Sequence, residues 1–433
     1  MEIRPFKGWR YCAGERQDIG QFVAPPYDIL SAADKQQLLA QSAENIVAVD
    51  LPHVPPKEVG PDSVYQQAAA LLDKWKHTGV LCQDAPSVYV YQQVFDLGPN
   101  SYRRLALLCG VRATPLGEDV IPHEHTFDGP KADRLKLTEY TKTQLSPIFG
   151  FYRDAGVLPG LLQEISERPT PIQARLEAPG QRSVITEKLW VVSDEATIKR
   201  MSQALANVPV FIADGHHRYT TAMNYRDQLK AAGRIDNNHE SNFVLFALVH
   251  RDDPGLIILP THRIVQGLVG GFDINKLVQA ATEFTWKRVS LEGLNVMDID
   301  KALHVHGPHA MALIGAKSDD CWIATLTDTK PMEQAAPDQL PAWRDLSVSI
   351  LHKLIIDKDL VPWKTDQMTI DYTPDAANVV AACKAGRAQL GICLQSTPLS
   401  AVEEIARSGA VMPHKSTYFY PKLTTGMVLK PME

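Results

Sequence analysis

The 433-residue sequence lacks the long apolar and cysteine patterns that mark several large classes of protein. Its longest apolar runs, such as residues 243–249, fall far short of the ~20 residues that a membrane helix requires. Six cysteines are widely scattered without a C-x-x-C pair, so we expect buried free thiols and no zinc site or disulfide framework. The first residues do not form a basic segment followed by an apolar segment, so no signal peptide is expected. These absences predict a soluble, reduced, cytoplasmic protein with no membrane partner.

The sequence also has no phosphate-binding motif of the common kinds. It contains neither G-x-x-x-x-G-K-[ST] nor G-x-G-x-x-G, which excludes the P-loop and Rossmann classes, and it has no G-x-S-x-G elbow. Its 44 basic and 50 acidic residues leave a net charge of −6, which makes a nucleic-acid partner unlikely. A function must therefore be inferred from local sites.

The composition predicts a large folded protein, and the alternation of predicted helices and strands indicates a mixed α/β class. Apolar residues make up 45% of the chain, and its length favours two or three domains. We expect an N-terminal α/β region at 1–100, a central domain at 101–270 and a C-terminal α/β domain at 271–433. Predicted helices include 31–41, with Ser31 as N-cap and Asp34 at the capping-box position. A second predicted helix, 65–76, has apolar residues at helical spacing: Tyr65, Ala68, Leu72 and Trp75. Predicted strands include 87–95, 104–112, 208–213 and 242–250.

The strongest candidate site is Asp214-Gly-His-His-Arg218, which follows a predicted strand and opens a predicted helix whose inner face would be Tyr219, Ala222 and Met223. Gly215 permits a tight turn, and a helix start presents free N–H groups to an anion. His216, His217 and Arg218 add donors suited to phosphate oxygens. Asp214 could hold a divalent ion or cap the helix. The alternative is a capped helix with surface histidines, but the convergence of these residue types favours a functional site.

A second cluster is Pro122-His-Glu-His-Thr126, followed by charged residues on a probable helix. If the segment is a strand, His123 and His125 face the same side and could bind a metal, but no third ligand is fixed nearby. Glu124 could equally act as a general base. Lys131 and Arg134 then contribute to the site or lie on a solvated helix face.

The third cluster, at residues 412–426, places basic and hydroxyl groups around an aromatic run. Lys415, Ser416, Thr417 and Lys422 could reach a phosphate in a folded cleft, and we infer that they join the site at Asp214. The alternative is a strand that docks the chain end through Tyr418 and Tyr420. The pair His262-Arg263, which follows a predicted strand, is a further basic candidate.

Together these residues resemble the bacterial and archaeal domain of unknown function 1015 family. The motifs that carry the resemblance occur in order along nearly the whole chain: Ala24–Asp28, Pro122–Thr126, Lys131–Arg134, Ala213–Tyr219, Leu259–Arg263 and Met412–Pro421.

A more distant resemblance is to free serine kinases built on the ParB/sulfiredoxin-like fold, which share a His-Glu box followed by Asp-Gly-His-His-Arg. It implies a ParB/sulfiredoxin-like central domain with Glu124 as general base and His123 beside it. It further implies that residues 214–218 hold the nucleotide phosphates or Mg²⁺, with Asp214 as metal ligand and His217 catalytic.

The expected function is that of a small-molecule phosphotransferase that acts on free L-serine or a related hydroxy compound and uses ATP, ADP or another phosphate donor. The alternative is a ParB-like nucleotide-binding switch or nucleotide hydrolase without a small acceptor. A DNA-associated role is disfavoured by the acidic balance.

Overall fold

A computed structural model describes residues 1–12, 18–55, 58–124, 128–169, 172–177, 183–294 and 296–433. It confirms the mixed α/β class. The chain divides into two compact units, unit 1 comprising Met1–Ile257 and Pro421–Glu433, and unit 2 comprising Ile258–Tyr420.

This division differs from the three regions predicted from the sequence. The predicted boundary after residue 100 falls where two strands of one hairpin pair, with Leu97 opposite Asn100. The predicted boundary at 270/271 lies shortly after the change of unit at Ile258. The last residues of the chain return to unit 1, which a linear division cannot represent.

Unit 1 is built on a nine-stranded mixed sheet with helices packed against it. Its strands are β1 Ile3–Arg4, β2 Trp9–Tyr11, β3 Leu81–Gln83, β4 Val88–Leu97, β5 Asn100–Arg112, β6 Val120–Ile121, β7 Thr143–Gln144, β8 Ile148–Tyr152, β9 Ile172–Leu176, β10 Ile185–Val192, β11 Val210–Asp214, β12 Phe243–His250 and, near the end of the chain, β21 Lys430–Pro431. Its helices are α1 Ala32–Gln41, α2 Val47–Asp50, α3 Asp62–His77, α4 Asp128–Thr141, α5 Val157–Ser166, α6 Glu195–Leu205 and α7 His216–Ala231. The large sheet has the order β6-β11-β8-β12-β5-β4-β10-β9, and β1 pairs with β5.

The sequence pattern explains the centre of this sheet. Strand β12 lies between β5 and β8 and is apolar on both faces because both faces of the sheet are covered there, so it is buried from Phe243 to Val249. Helices α5, α6 and α7 pack against the same core, α7 through Tyr219 and Ala222. Those two residues lie on the face that the sequence predicts to be buried.

Two predicted helices of unit 1 are confirmed in detail. Helix α1 begins after Ser31, whose side chain accepts from the Asp34 backbone N–H while the Asp34 carboxylate accepts from the Ser31 N–H. Helix α3 buries Tyr65, Ala68, Leu72 and Trp75, which have the helical spacing noted in the sequence.

Unit 2 contains a six-stranded sheet of order β15-β17-β16-β19-β14-β18. Its strands are β13 Ile257–Leu259, β14 His262–Gln266, β15 Phe284–Ser290, β16 Met311–Gly315, β17 Asp320–Leu326, β18 Thr369–Thr373, β19 Leu390–Cys393 and β20 Tyr418–Tyr420. Its helices are α8 Ile274–Ala280, α9 Ile299–His304, α10 Lys330–Ala335, α11 Pro341–Arg344, α12 Ser347–Ile350, α13 Ala376–Lys384 and α14 Leu399–Arg407, with a π-helical segment Leu351–Asp359 after α12. Strands β13 and β20 form a separate pair, so the strand predicted around Tyr418 and Tyr420 is present.

The prediction that all six cysteines are free thiols is wrong for two of them. Strands β2 and β3 pair antiparallel, with Arg10 opposite Cys82, and this places Cys12 and Cys82 with their Cα atoms 5.2 Å apart in a disulfide. The two residues are 70 positions apart, and nothing in the local sequence indicates that their strands pair. The other four cysteines are free and buried, as expected.

Within the described ranges, no helix is long and apolar enough to cross a membrane.

Candidate functional site

The turn from β11 into α7 combines backbone geometry that requires glycine with a packed arginine. Gly215 adopts φ +102°, in the left-handed region that residues with a Cβ avoid. A Cβ at this position would also lie 3.1 Å from the guanidinium of Arg218. The glycine therefore permits both the sharp entry into α7 and the close approach of Arg218 to the helix start.

Asp214, the last residue of β11, contacts two cationic side chains. Its Oδ2 lies 2.6 Å from Nη2 of Arg218, and its Oδ1 lies 2.5 Å from Nζ of Lys422. Lys422 comes from the C-terminal segment of unit 1, 208 residues further along the chain. One carboxylate between two cations leaves a positive surplus at a helix N-terminus, which is the electrostatic environment that attracts an anion.

His123 and His216 form a buried pair beside this turn. Strand β6 pairs in parallel with β11, which carries residues 122–124 toward the start of α7. The backbone N–H of His123 donates to Nε2 of His216 at 3.2 Å, and the two rings meet edge to face with centroids 4.7 Å apart. Nδ1 of His123 lies 2.7 Å from the Ile212 carbonyl oxygen, which can only accept, so Nδ1 carries the proton in the neutral ring.

Both of these imidazoles are held in the neutral form. Burial lowers the pKa of His123 to about 4, and the hydrogen bond to the Ile212 carbonyl opposes this shift only in part. Burial, followed by the proximity of His123, lowers the pKa of His216 well below its usual value. Near neutral pH these two rings therefore add no positive charge to the turn.

The structure corrects the interpretation of the His-Glu box as a strand. Strand β6 ends at Ile121, so His123 and Glu124 follow the strand, and their placement does not depend on strand alternation. Glu124 is half-buried directly after His123, and His217 is half-buried in the first turn of α7. His125 and Thr126, the other members of the box, lie outside the described residues.

A divalent cation fits poorly at Asp214. Both carboxylate oxygens already contact cationic side chains, and no group of three His, Cys, Asp or Glu that could hold a metal occurs in the described part of the chain. The roles of Asp214 as a metal ligand and of Mg²⁺ as a cofactor stay predictions, and no step below depends on them.

Helix α4 carries the charged residues that the sequence places near the site. Arg134 is buried, donates to both Asp133 and the Asp50 backbone carbonyl, and lies 3.9 Å from the centroid of the Tyr27 ring. A solvated helix face is therefore excluded for Arg134, whereas Lys131 on the same helix is half-buried. Tyr27 belongs to the Ala24–Asp28 motif, so this contact joins two separate motifs.

A cavity of about 60 Å³ lies between α4 and α7 within unit 1. Its polar lining includes four residues that the sequence did not single out, because they come from three separate segments: Asp50, Gln144, Ser146 and Thr221. Arg218 connects the cavity with the turn, because one end of its guanidinium donates to Ser146 Oγ at 3.3 Å while the other contacts Asp214.

Five predicted site residues belong to unit 2, whereas Asp214 and Lys422 belong to unit 1. The five are His262, Arg263, Lys415, Ser416 and Thr417. Their backbone and side chains take part in contacts within unit 2. Nδ1 of His262 accepts from the Leu394 N–H at 3.1 Å, and Arg263 donates to the backbone carbonyl of Lys415 at 3.1 Å. The Ser416 hydroxyl donates to the backbone carbonyl of Pro413. Lys415, which lies between these two residues in the chain, adopts a positive φ of 58°. That these residues and Thr417 bind the same phosphate as Asp214 stays a prediction.

The fold is of mixed α/β class, and Asp214 contacts Arg218 and Lys422 at the start of α7. The chain belongs to the family described as "Protein of unknown function (DUF1015)", whose profile matches residues 3–349. This match confirms the resemblance inferred from the motifs.

The chain is also similar to several solved structures, all at low identity. A free serine kinase in complex with AMP is 12% identical with a TM-score of 0.33, over 74% of this chain and 91% of that one. A conserved hypothetical protein from Pyrococcus furiosus is 13% identical with a TM-score of 0.33, over 75% and 95%. SbnI with a C-terminal truncation, from Staphylococcus aureus, is 11% identical with a TM-score of 0.33, over 73% and 85%. No curated protein matches the chain.

Proposed function

We propose that unit 1 binds a nucleotide through its phosphates at the start of α7 and transfers the terminal phosphoryl group to a small hydroxyl compound. The observation that carries this proposal is the arrangement of Arg218 and Lys422 on either side of Asp214 at the N-terminus of a 16-residue helix. A helix start with this positive surplus binds phosphate oxygens through backbone N–H groups and side-chain cations together.

The chemistry needs charge neutralisation more than covalent assistance from the protein. Phosphoryl transfer proceeds mainly through positioning of the reactants and stabilisation of charge on the transferred group. Arg218, Lys422 and His217 neutralise that charge in our proposal, and Lys131 on α4 adds to it. His123 and His216, held neutral by burial, add no charge to the site.

Glu124 is the proposed general base. The acceptor hydroxyl oxygen forms a bond to the terminal phosphorus as the bond from that phosphorus to the bridging oxygen breaks. The hydroxyl proton passes to the Glu124 carboxylate, and the shortened nucleotide leaves with the bridging oxygen. The motif resemblance to free serine kinases makes L-serine the first acceptor to test, with ATP and ADP as the first donors.

Two measurements test the proposal on the full chain. Isothermal titration with ATP and ADP, with and without Mg²⁺, should detect binding to the wild type, and a phosphoserine assay should detect turnover. Glu124→Gln should retain nucleotide affinity and lose most turnover, because it keeps the size of the side chain but cannot accept the proton. Turnover that persists in Glu124→Gln would show that the proposed base is wrong.

The same measurements separate the alternative function. Nucleotide binding or hydrolysis without a phosphorylated small product would favour a nucleotide-binding switch or hydrolase. Absence of any nucleotide binding by the wild type would remove both.

A further inference from the structure

Three polar side chains stand directly opposite one another on neighbouring strands of the large sheet of unit 1. Gln93 on β4 is paired with Arg104 on β5 and with Glu187 on β10, and these three residues form what we call the polar ladder. All three are buried, at no more than 1% exposure. They lie on the opposite face of the sheet from the core residues Val90 and Leu105, because successive residues of a strand point to alternate faces.

Hydrogen bonds connect the members of the polar ladder and fix their orientation. Nη2 of Arg104 can only donate, so the atom of the Gln93 amide that faces it is Oε1. The other end of the amide, Nε2, lies 2.8 Å from Oε1 of Glu187 and donates to it. The same carboxylate oxygen accepts from the Tyr91 hydroxyl at 2.7 Å. Each member of the ladder therefore fixes the orientation of the next.

The polar ladder also binds the C-terminal segment that carries Lys422. Nη2 of its guanidinium lies 2.7 Å from the Pro421 carbonyl oxygen, and Nε2 of its amide lies 3.2 Å from the carbonyl oxygen of Lys422 itself. Its carboxylate accepts a hydrogen bond from the hydroxyl of Thr424. Each of the three ladder side chains thus holds a different residue of the stretch 421–424.

Buried polar groups of this kind are unfavourable if stability alone is considered. Burial raises the pKa of the Glu187 carboxyl, and the hydrogen bonds from Thr424, Tyr91 and Gln93 oppose this shift. Ionic groups in a protein interior often add nothing to stability compared with well-packed apolar side chains. A fully hydrogen-bonded network does define geometry, because its groups have few acceptable positions. The segment that gains a defined position here is 421–424.

Lys422 is the residue of this segment that reaches the candidate site. Its backbone carbonyl is held by the polar ladder, and its Nζ contacts Asp214 at 2.5 Å at the start of α7. A lysine side chain is long and flexible, so its charge occupies one place only when both its backbone and its tip are fixed. The contact with Asp214 fixes the tip, and the ladder fixes the backbone.

We infer that the polar ladder positions Lys422 against Asp214 and thereby sets the affinity of the helix start for an anion. Its members are positioning residues and act through the backbone of residues 421–424. The effect on nucleotide affinity rests on the proposed function. The anchoring of the segment does not, because it depends only on the contacts of the ladder.

Isothermal titration of the full chain with ADP tests this inference in variants of the segment. Thr424→Val keeps the shape of the side chain and removes the hydroxyl that donates to Glu187. We expect the dissociation constant of ADP to rise about fivefold, which is less than when Lys422 itself is replaced by methionine. Thr424→Ser keeps the hydroxyl and should retain the wild-type affinity. In the matched control, Thr425→Val, the affinity should also be unchanged, because the Thr425 hydroxyl is buried in the same segment without a partner among the described residues.

A double-mutant cycle separates positioning from a general loss of stability. If the polar ladder acts through Lys422, Thr424→Val should have no further effect on ADP affinity in a protein that already carries Lys422→Met. Gln93→Met removes both hydrogen-bonding ends of the amide at similar length, and it should have a larger effect, again only while Lys422 is present. Thr424→Val is the smaller change, so the test does not depend on whether Gln93→Met folds.

Hydrogen exchange measured by mass spectrometry provides a readout that needs no nucleotide. The peptide that covers residues 421–425 should exchange faster in Thr424→Val than in the wild type, because one of the contacts that hold the segment is lost. The same peptide should exchange at the wild-type rate in Thr425→Val.

Three results would overturn the inference. They are an unchanged exchange rate of this peptide in Thr424→Val, an unchanged ADP affinity in that variant, and a loss of ADP affinity that persists in full in the Lys422→Met background. Failure of the proposed function would look different. The wild type would then not bind ADP at all, while the exchange rates would still follow the contacts of the polar ladder.

Discussion

Replacing Lys422 by methionine removes one of the two cations that contact Asp214 and keeps most of the apolar stem. The lysine and aspartate side chains are 10% and 20% exposed, so their interaction is only moderately screened by solvent. Asp214 retains Arg218 as a partner, so the carboxylate is not left uncompensated. We therefore expect a loss of about 1–2 kcal/mol in the free energy of unfolding, the range for one hydrogen bond to a charged group. For a unit of this size that corresponds to a decrease of roughly 2–6 °C in melting temperature.

The same substitution should weaken anion binding, because the surplus positive charge at the helix start is lost. We expect the dissociation constant for ADP to rise by about tenfold or more, and the salt dependence of binding to become shallower. Lys384→Met is the matched control, since its ion pair with Asp319 is on the surface of unit 2 and should contribute at most about 0.5 kcal/mol.

The variant Asp214→Asn should give the opposite pattern for binding. It removes the carboxylate that competes with a phosphate for Arg218 and Lys422, so the free protein loses stability while anion affinity is retained or increased. Unchanged ADP affinity in Lys422→Met, or a large loss in Asp214→Asn, would refute the assignment of this turn as the phosphate site.

Three more predictions concern the stability of unit 1. Burial holds the folded-state pKa of His123 near 4, so the stabilising contribution of the neutral ring is complete above about pH 6.5 and is lost as the pH falls toward 4. The free energy of unfolding, measured in urea, should therefore decrease by on the order of 3 kcal/mol over that window. The decrease should be shallower in His123→Asn. Gly215→Ala should lower the free energy of unfolding by about 1–3 kcal/mol in urea titrations, since alanine resists a φ of +102°, and an unchanged midpoint would contradict the strain argument. Cys12→Ser opens the 70-residue disulfide loop and should cost about 2–4 kcal/mol without reductant; adding reductant should lower the stability of the wild type to that of the variant.

Local sequence rules account for the elements that support the site. Ser31 and Asp34 predict the start of α1 because a capping box needs only residues three positions apart. Tyr219 and Ala222 predict the buried face of α7 from their spacing, and Gly215 predicts the turn before it. The continuous apolar run at Phe243 predicts a strand buried on both faces. Each of these predictions depends on interactions within one helix turn or one strand.

The tertiary structure alone decided which distant residues meet. Lys422 contacts Asp214, which lies 208 residues earlier in the chain. Cys12 forms a disulfide with Cys82 because β2 pairs with β3. The partners of Arg134 and the cavity lined by Gln144 and Thr221 depend on how several separate segments pack together.

The sequence by itself therefore determined the family, the α/β class and the local frame of Asp214–Arg218, since capping, periodicity and glycine geometry act over a few residues. The partners of those residues were decided only by the fold. Contacts between distant segments depend on sheet order and on the return of the chain to unit 1, which no local pattern encodes.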